Sequence, residues 1–138
     1  MSNVDSSSTA KSLSPYILIQ PYKFTLTIGK DVIKCLGFPT HISLRINEQN
    51  NSFALIPCEE KNVMSFKVPE RLLTDHHSVF RITSKSFVMT LLLKYGLSPK
   101  NIYECRGVYS EKVNAVIVSL DKANLKERDI RSVMKPVP

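Results

Sequence analysis

The sequence predicts an α+β protein dominated by strands, made of two strand–helix–strand–strand (βαββ) units and a C-terminal helix. Short segments in which apolar and polar residues alternate recur along the chain, and this period of two is typical of strands with one buried face. Two apolar segments with helical spacing each end at a glycine, Gly37 and Gly96, with a proline shortly beyond. The order of these segments is the same in both halves, which indicates an internal repeat.

Length and composition favour one compact domain, or two small lobes that share a core. The chain has 138 residues, of which 43% are hydrophobic, an ordinary proportion for a globular protein. No apolar run is long enough to cross a bilayer, and the Ser-rich beginning lacks the apolar stretch of a secretory signal. We therefore expect a cytoplasmic protein, associated with the nucleoid if the source is bacterial, and no membrane partner.

Charge and cysteine content narrow the classes of partner. The net charge of +7 and the sequence pI near 9.4 favour a polyanion, which can be DNA, RNA or an anionic surface. Cys35, Cys58 and Cys105 are widely spaced and form no CxxC pair, so we expect reduced thiols rather than a metal site. His76 and His77, the nearest candidate ligands, lie in a predicted loop. No cofactor is expected.

The first unit is assigned to residues 15–60, after a Ser-rich tail at residues 1–14 that is expected to be disordered. Residues 24–28 (FTLTI) alternate as a half-buried strand does. Residues 30–36 (KDVIKCL) place Val32, Ile33 and Leu36 on one helical face. Residues 41–47 (HISLRIN) and 53–56 (FALI) are predicted as the strands of a hairpin with an Asn-rich turn.

The second unit is assigned to residues 79–122, after a connector at residues 61–78 that holds a strand-like piece and a helical turn. Its first strand is expected at residues 79–83 (VFRIT), followed by Ser84 as the N-cap of a helix over residues 85–95. Residues 102–108 and 114–120 are the expected hairpin strands. A C-terminal helical tail is assigned to residues 123–138, and a polar helix is predicted over residues 121–132 (DKANLKERDIRS).

Residues 26–57, LTIGKDVIKCLGFPTHISLRINEQNNSFALIP, resemble the SpoVT–AbrB family of swapped-hairpin DNA-binding domains. The shared pattern is a short strand, a TIPK-like step, a short helix ending in LG, and a hairpin that closes on an apolar strand. The resemblance covers residues 24–57 well and residues 79–120 loosely, and two such units in one chain are similar to the MraZ arrangement. It implies a swapped-hairpin-like barrel. The family proline is replaced by Gly29 in the first unit and by Ser84 in the second.

The resemblance implies a DNA-facing surface of basic side chains on the first strand of each unit and at its junction with the helix. These positions are Lys23 and Lys30 in the first unit and Arg81 and Lys85 in the second, with Lys34 as an addition on the exposed helical face. Cations beside the unpaired N–H groups of a helix N-terminus suit a phosphate. The same charges can equally serve only to solvate a surface. Arg45 and Arg106, on hairpin strands, are either solvent-facing residues or secondary phosphate contacts.

The predicted function is sequence-preferring binding of double-stranded DNA, as a transcriptional regulator that forms a homo-oligomer. The alternative is a protein–protein adaptor or antitoxin-like module that uses the basic surface. A third possibility is RNA binding, in which bases stack on Tyr16, Tyr22, Phe24, Tyr103 and Tyr109, although aromatic residues in strands more often belong to a core. The sequence contains no GxSxG, glycine-rich phosphate loop or HExxH motif, so we expect neither an enzyme nor a small-molecule substrate.

Overall fold

The structure, a computed structural model, describes residues 15–59, 65–74 and 79–129, and most of these residues lie in strands. The strands are β1 (Tyr16–Gln20), β2 (Thr25–Ile28), β3 (His41–Asn47), β4 (Ser52–Cys58), β5 (Ser65–Lys67), β6 (Phe80–Thr83), β7 (Asn101–Ser110), β8 (Ala115–Ser119) and β9 (Lys126–Asp129). Helix α1 covers Lys30–Cys35 and helix α2 covers Lys85–Tyr95, and 3-10 turns lie at Pro21–Lys23 and Glu70–Leu73. The prediction of a mostly β fold with few helices is confirmed.

The described strands join into one sheet that curls into a nearly closed barrel. Their order is β5-β3-β4-β8-β7-β1-β2-β6, with β9 beside β7, and every one of these pairings is antiparallel. Strand β7 is the longest, with 10 residues. Its first part pairs with β1 and β9, and its last part pairs with β8, so β7 connects the two sides of the barrel.

One apolar core fills the barrel, and both halves of the chain contribute to it. Successive residues of a strand point to opposite faces, so every second residue faces inward. In β1 these inward residues are Ile17 and Ile19, and in β4 they are Phe53 and Leu55, all fully buried. The ring of Phe53 meets the ring of Phe87 from α2 edge-on, with centroids 5.4 Å apart, which ties the second helix to the strands of the first half.

The boundaries of the helices follow from local sequence. The hydroxyl of Ser84 accepts a hydrogen bond from the N–H of Phe87 at 3.3 Å, and Gly96 ends α2 in the left-handed conformation. Both features of α2 were predicted and are confirmed. Gly29 precedes α1, where a Cβ would lie 2.9 Å from the carbonyl oxygen of Tyr16. A residue with a side chain would therefore push β1 away from this turn.

The predicted C-terminal helix is wrong over its described part, because Lys126–Asp129 form strand β9 against β7. The side chain of Asn124 explains how the strand begins: it accepts from the N–H of Arg106 and donates to the carbonyls of Arg106 and Ser119. These side-chain bonds take the place of backbone ladder bonds where the chain passes from β8 to β9. Both strands can therefore lie along one edge of β7. Residues 130–138 lie outside the described part of the chain.

Other assignments meet the structure only in part. Residues 16–20 form strand β1, which lies within the predicted first unit, before its βαββ elements, and pairs with both β2 and β7. The strand-like piece of the connector is β5, and the helical turn after Pro69 is the 3-10 turn at Glu70–Leu73. The tail at residues 1–14 and residues 60–64 and 75–78 of the connector region lie outside the described residues.

Candidate nucleic-acid interface

The pairing of β2 with β6 decides where the predicted DNA-binding residues lie. The two strands run antiparallel, with Thr25 opposite Thr83 at one end and Ile28 opposite Phe80 at the other. Helix α2 follows the end of β6, and helix α1 follows the end of β2. The two strand–helix junctions, which the sequence suggested as equivalent sites, therefore lie at opposite ends of the strand pair.

Lys23 and Lys85 come together at the end of this pair where β2 begins. The ammonium of Lys23 lies 5.6 Å from the centroid of the Tyr22 ring, and that of Lys85 lies 5.8 Å from the centroid of the Phe24 ring. The N–H of Ser84 donates to the carbonyl of Phe24 at 2.9 Å, which joins the start of α2 to the chain before β2. Both lysines are exposed, so the start of β2 and the junction between β6 and α2 contribute one basic cluster.

The backbone beneath this cluster is strained. Phe24 has a φ of 54°, in the left-handed region that bulky residues seldom adopt. Its N–H closes the 3-10 turn by donating to the carbonyl of Pro21, and the hydroxyl of Thr25 donates to the carbonyl of Lys23 at 2.9 Å. Such a conformation costs on the order of 1–3 kcal/mol and persists only where its surroundings hold it. The ring of the residue in this conformation, Phe24, is the one that lies under Lys85.

Arg81 occupies the middle of the same strand pair. It is exposed and lies opposite Thr27, on the outward side of the barrel, while its neighbours Phe80 and Ile82 face the core. The hydroxyl of Thr27 donates to the amide oxygen of Gln20 at 2.9 Å. The outward side next to Arg81 is therefore polar and holds no carboxylate on β2 or β6.

Lys30 and Lys34 lie at the other end, on α1. Three residues of strand separate the two ends, a distance of about 10 Å along the sheet. Lys30 is partly buried and Lys34 is exposed. Helix α1 has only 6 residues, so its dipole adds little to the charge of these lysines. The structure thus brings Lys23 and Lys85 together, places Arg81 between the two ends, and separates Lys30 and Lys34 from the cluster.

The two secondary candidates lie on different parts of the barrel. Arg45 is exposed on β3, opposite Ala54 of β4. Arg106 is exposed on β7, and its guanidinium lies 5.1 Å from the centroid of the Tyr16 ring. Tyr16 in turn accepts a backbone hydrogen bond from Gly29, just before α1. Arg106 is therefore a neighbour of the Lys30 end, and Arg45 is not.

Sequence reasoning missed Lys126 and Arg128, because the segment that contains them was assigned to a helix. Both are exposed on β9. The signal was present in residues 126–129 (KERD), where cations and acids alternate. In a strand this alternation puts both cations on one side, whereas a helix would distribute them around its axis.

Tyr103, one of the aromatic residues considered for RNA binding, is too buried for its ring to stack on a base. It is only 3% exposed, and its hydroxyl accepts from the N–H of Ser98 at 2.6 Å and donates to Glu127 at 3.0 Å. Burial raises the pKa of the Tyr103 hydroxyl, with Glu127 adding to the effect. Tyr103 is therefore a structural residue between the end of α2 and β9.

Other chemistry-bearing groups lie away from the basic cluster. Burial raises the pKa of the Cys105 thiol to about 12, so this cysteine stays protonated near neutral pH. A cleft of about 280 Å³ lies between the Phe38–Pro39–Thr40 loop and Leu73, and none of the predicted DNA-binding residues lines it. No group of three or more potential metal ligands occurs within the described ranges, and His76 and His77 lie outside them.

No model of a known protein family, no curated protein and no solved structure matches this chain. The resemblance to the SpoVT–AbrB family stays a prediction. Neither helix in the described part of the chain is long and apolar enough to cross a membrane.

Proposed function

We propose that this protein binds double-stranded DNA with a sequence preference, as a transcriptional regulator, through the outward side of β2 and β6. The observation that carries the proposal is that Lys23 and Lys85, far apart in sequence, both lie at the end of the β2–β6 pair where β2 begins, with Arg81 on the same pair. Phosphate contacts supply most of the affinity of a protein for DNA, and clustered cations on a protein of net charge +7 suit them. In a bacterial cell this activity would associate the protein with the nucleoid.

We further propose that the chain consists of two SpoVT–AbrB-like units in an MraZ-like tandem. The strand order supports this: exchanging β1, β2, β3 and β4 with β5, β6, β7 and β8 leaves most pairings unchanged. Strands β2 and β6 pair with each other, as do β4 and β8, while hairpin β3–β4 corresponds to β7–β8 and pair β1–β7 to β5–β3. A pairing of β5 with β6, the counterpart of β1–β2, is not among the pairings of the described residues. This approximate two-fold relation is what a duplicated unit produces.

The proposed assembly is a homo-oligomer that associates away from the basic cluster. Across β3, β4, β8 and β7, the outward residues Arg45, Ala54, Ile117 and Val108 are successive partners. Val108 is 71% exposed, and Arg45 is the one charged residue in this row. Copies with a charge of +7 repel each other, so a contact through a nearly uncharged sheet face is the most favourable one. Such a contact leaves β2 and β6 accessible to DNA.

The test is a DNA titration followed by fluorescence anisotropy at 50–200 mM salt (about the range over which phosphate contacts dominate). The Lys23→Gln/Lys85→Gln variant should bind at least about tenfold more weakly, and the slope of log K against log salt should fall by up to about 2, because each phosphate contact contributes about 0.9. Selection from random duplexes measures the sequence preference, and sedimentation of the complex measures the number of chains.

The matched control is Lys100→Gln/Lys112→Gln, which removes the same charge from exposed turn positions that lie in neither proposed contact surface. It should change affinity by less than about threefold, through net charge alone. Equal losses in both variants would show that total charge, not the cluster, determines binding. Absence of binding by the unmodified protein at low salt would refute the proposal. Partners that survive nuclease treatment would instead favour the adaptor alternative.

A further inference from the structure

Strand β9 adds a second group of cations to the outward side of the barrel. Lys126 lies opposite Glu104 of β7, and Arg128 lies opposite Ile102. Partners in an antiparallel pair point to the same side of the sheet. Lys126 and Arg128 therefore share the outward side of β7 with Arg106, and all three are exposed.

The acids of the same region are mostly turned away or neutralised. Glu127 points to the opposite side of β9, where its carboxylate accepts from the hydroxyl of Tyr103 at 3.0 Å and from the amide of Asn101 at 2.6 Å. Glu104 is the one carboxylate on the outward side of the described strand residues of β9, β7, β1, β2 and β6, and it forms an ion pair with Arg128. The outward side of β7 and β9 therefore has an excess of positive charge.

This second group lies on the same outward side of the sheet as Arg81 of β6. Five residues are successive partners across the sheet, from β6 to β9: Arg81, Thr27, Leu18, Glu104 and Lys126. Arg106 lies opposite Tyr16, whose carbonyl accepts from Gly29 before α1. Two strand spacings, about 10 Å, separate Arg106 from the start of that helix. Cations thus lie on both border strands of this outward surface, Arg81 on β6 and Lys126 and Arg128 on β9.

We propose that Arg106, Lys126 and Arg128 form a second phosphate-contacting surface for duplex DNA, and that Glu104 limits its affinity. This inference rests on the proposed function and extends its footprint from β2 and β6 to β7 and β9. The contact of the Arg106 guanidinium with the Tyr16 ring holds this cation on the outward side of β7, next to Lys126 and Arg128. Glu104 repels phosphate and engages Arg128, so its carboxylate opposes binding twice.

The most discriminating variant is Glu104→Gln in the full chain, because the inference predicts a gain rather than a loss. The amide keeps the shape of the side chain but removes the negative charge and releases Arg128. Affinity for a mixed-sequence duplex should rise by about three- to tenfold at 100 mM salt, with a steeper salt dependence. Glu111→Gln is the matched control, since Glu111 is an exposed acid in the turn between β7 and β8. It should raise affinity by less than about twofold.

A second variant tests the same surface from the cationic side. Arg106→Gln/Lys126→Gln should weaken binding by about tenfold or more and lower the salt slope by up to about 2, with unchanged circular dichroism. If this variant and Glu104→Gln bind like their controls while Lys23→Gln/Lys85→Gln loses affinity, the second surface is refuted and the proposed function stands. If the unmodified protein binds no duplex at 50 mM salt, both the second surface and the proposed function are refuted. If Glu104→Gln strengthens binding only to single-stranded RNA, duplex DNA is the wrong occupant and the inference is overturned.

Discussion

Replacing Gly107 with alanine probes the point at which β7 passes from one side of the barrel to the other. A Cβ at this position would lie 2.4 Å from Cγ1 of Val116 and 3.4 Å from Cγ2 of Val118. Both valines are fully buried in the core, so neither side chain can move into solvent to make room. The added methyl group must therefore displace either β8 or the backbone of β7.

The expected change in the free energy of unfolding follows from two opposing effects. Forcing an extra methyl group into a packed core costs about 1–3 kcal/mol. Alanine also restricts the unfolded chain relative to glycine, which returns about 0.4–1 kcal/mol. We therefore expect Gly107→Ala to lower the free energy of unfolding by about 1–2 kcal/mol, with Val116 as the main source of the clash.

Urea denaturation of a double-mutant cycle tests this origin. Val116→Ala removes the clashing Cγ1, so Gly107→Ala should be nearly neutral in that background and the two changes should couple by about 1 kcal/mol or more. Gly37→Ala is the control, because Gly37 has a φ of 78° and no atom within 4 Å of the added Cβ. The free energy of unfolding that Gly37→Ala loses comes from backbone strain, so it should be the same with and without Val116→Ala. An equal loss for Gly107→Ala in both backgrounds would refute the packing argument.

Two further predictions concern a helix cap and a buried thiol. Ser84→Ala removes the acceptor for the N–H of Phe87, so the free energy of unfolding measured by urea titration should fall by about 1 kcal/mol. Ser84→Thr keeps a hydroxyl at the cap and should retain most of this stability. Burial raises the pKa of Cys105 from 9.0 to about 12, so the thiol ionises in the unfolded chain first and stability falls as pH rises above 9.0. Between pH 8 and 10 this thiol should account for about 1 kcal/mol of lost stability. Cys105→Ala should lose less over that range, and an equal loss would contradict this role of the thiol.

The elements with strong local signals could be predicted from the sequence. The spacing of Ile42, Leu44 and Ile46 predicted a strand at residues 41–47, and β3 covers His41–Asn47. The predicted helix at residues 85–95 matches α2, because Ser84 and Gly96 provide both of its caps locally. In each case the information lies within a few residues of the element, as hydrophobic period and capping require.

Strand β9 shows what such signals leave out. Its residues have no apolar period, and the features that hold it come from distant parts of the chain: Glu127 bonds to Tyr103 and Asn101, and Asn124 bonds to Arg106. The candidate site likewise depends on residues that are far apart in the sequence. Lys23 and Lys85 could each be selected from their places next to a strand or helix, but their meeting depends on the register of β2 with β6.

The aromatic rings beneath the cations bear on whether this surface contacts phosphates or merely faces solvent. Three aromatic residues each lie under one of these cations: Tyr22 under Lys23, Phe24 under Lys85 and Tyr16 under Arg106. A cation–π contact at an exposed site contributes about 0.5–1 kcal/mol, which is enough to bias a long side chain toward one arrangement. A side chain that is already held loses less conformational entropy when a phosphate binds, and this loss is one of the main costs of an ionic contact. Rings under cations both next to the start of β2 and on the outward side of β7 therefore favour a preorganised phosphate-binding surface over simple solvation.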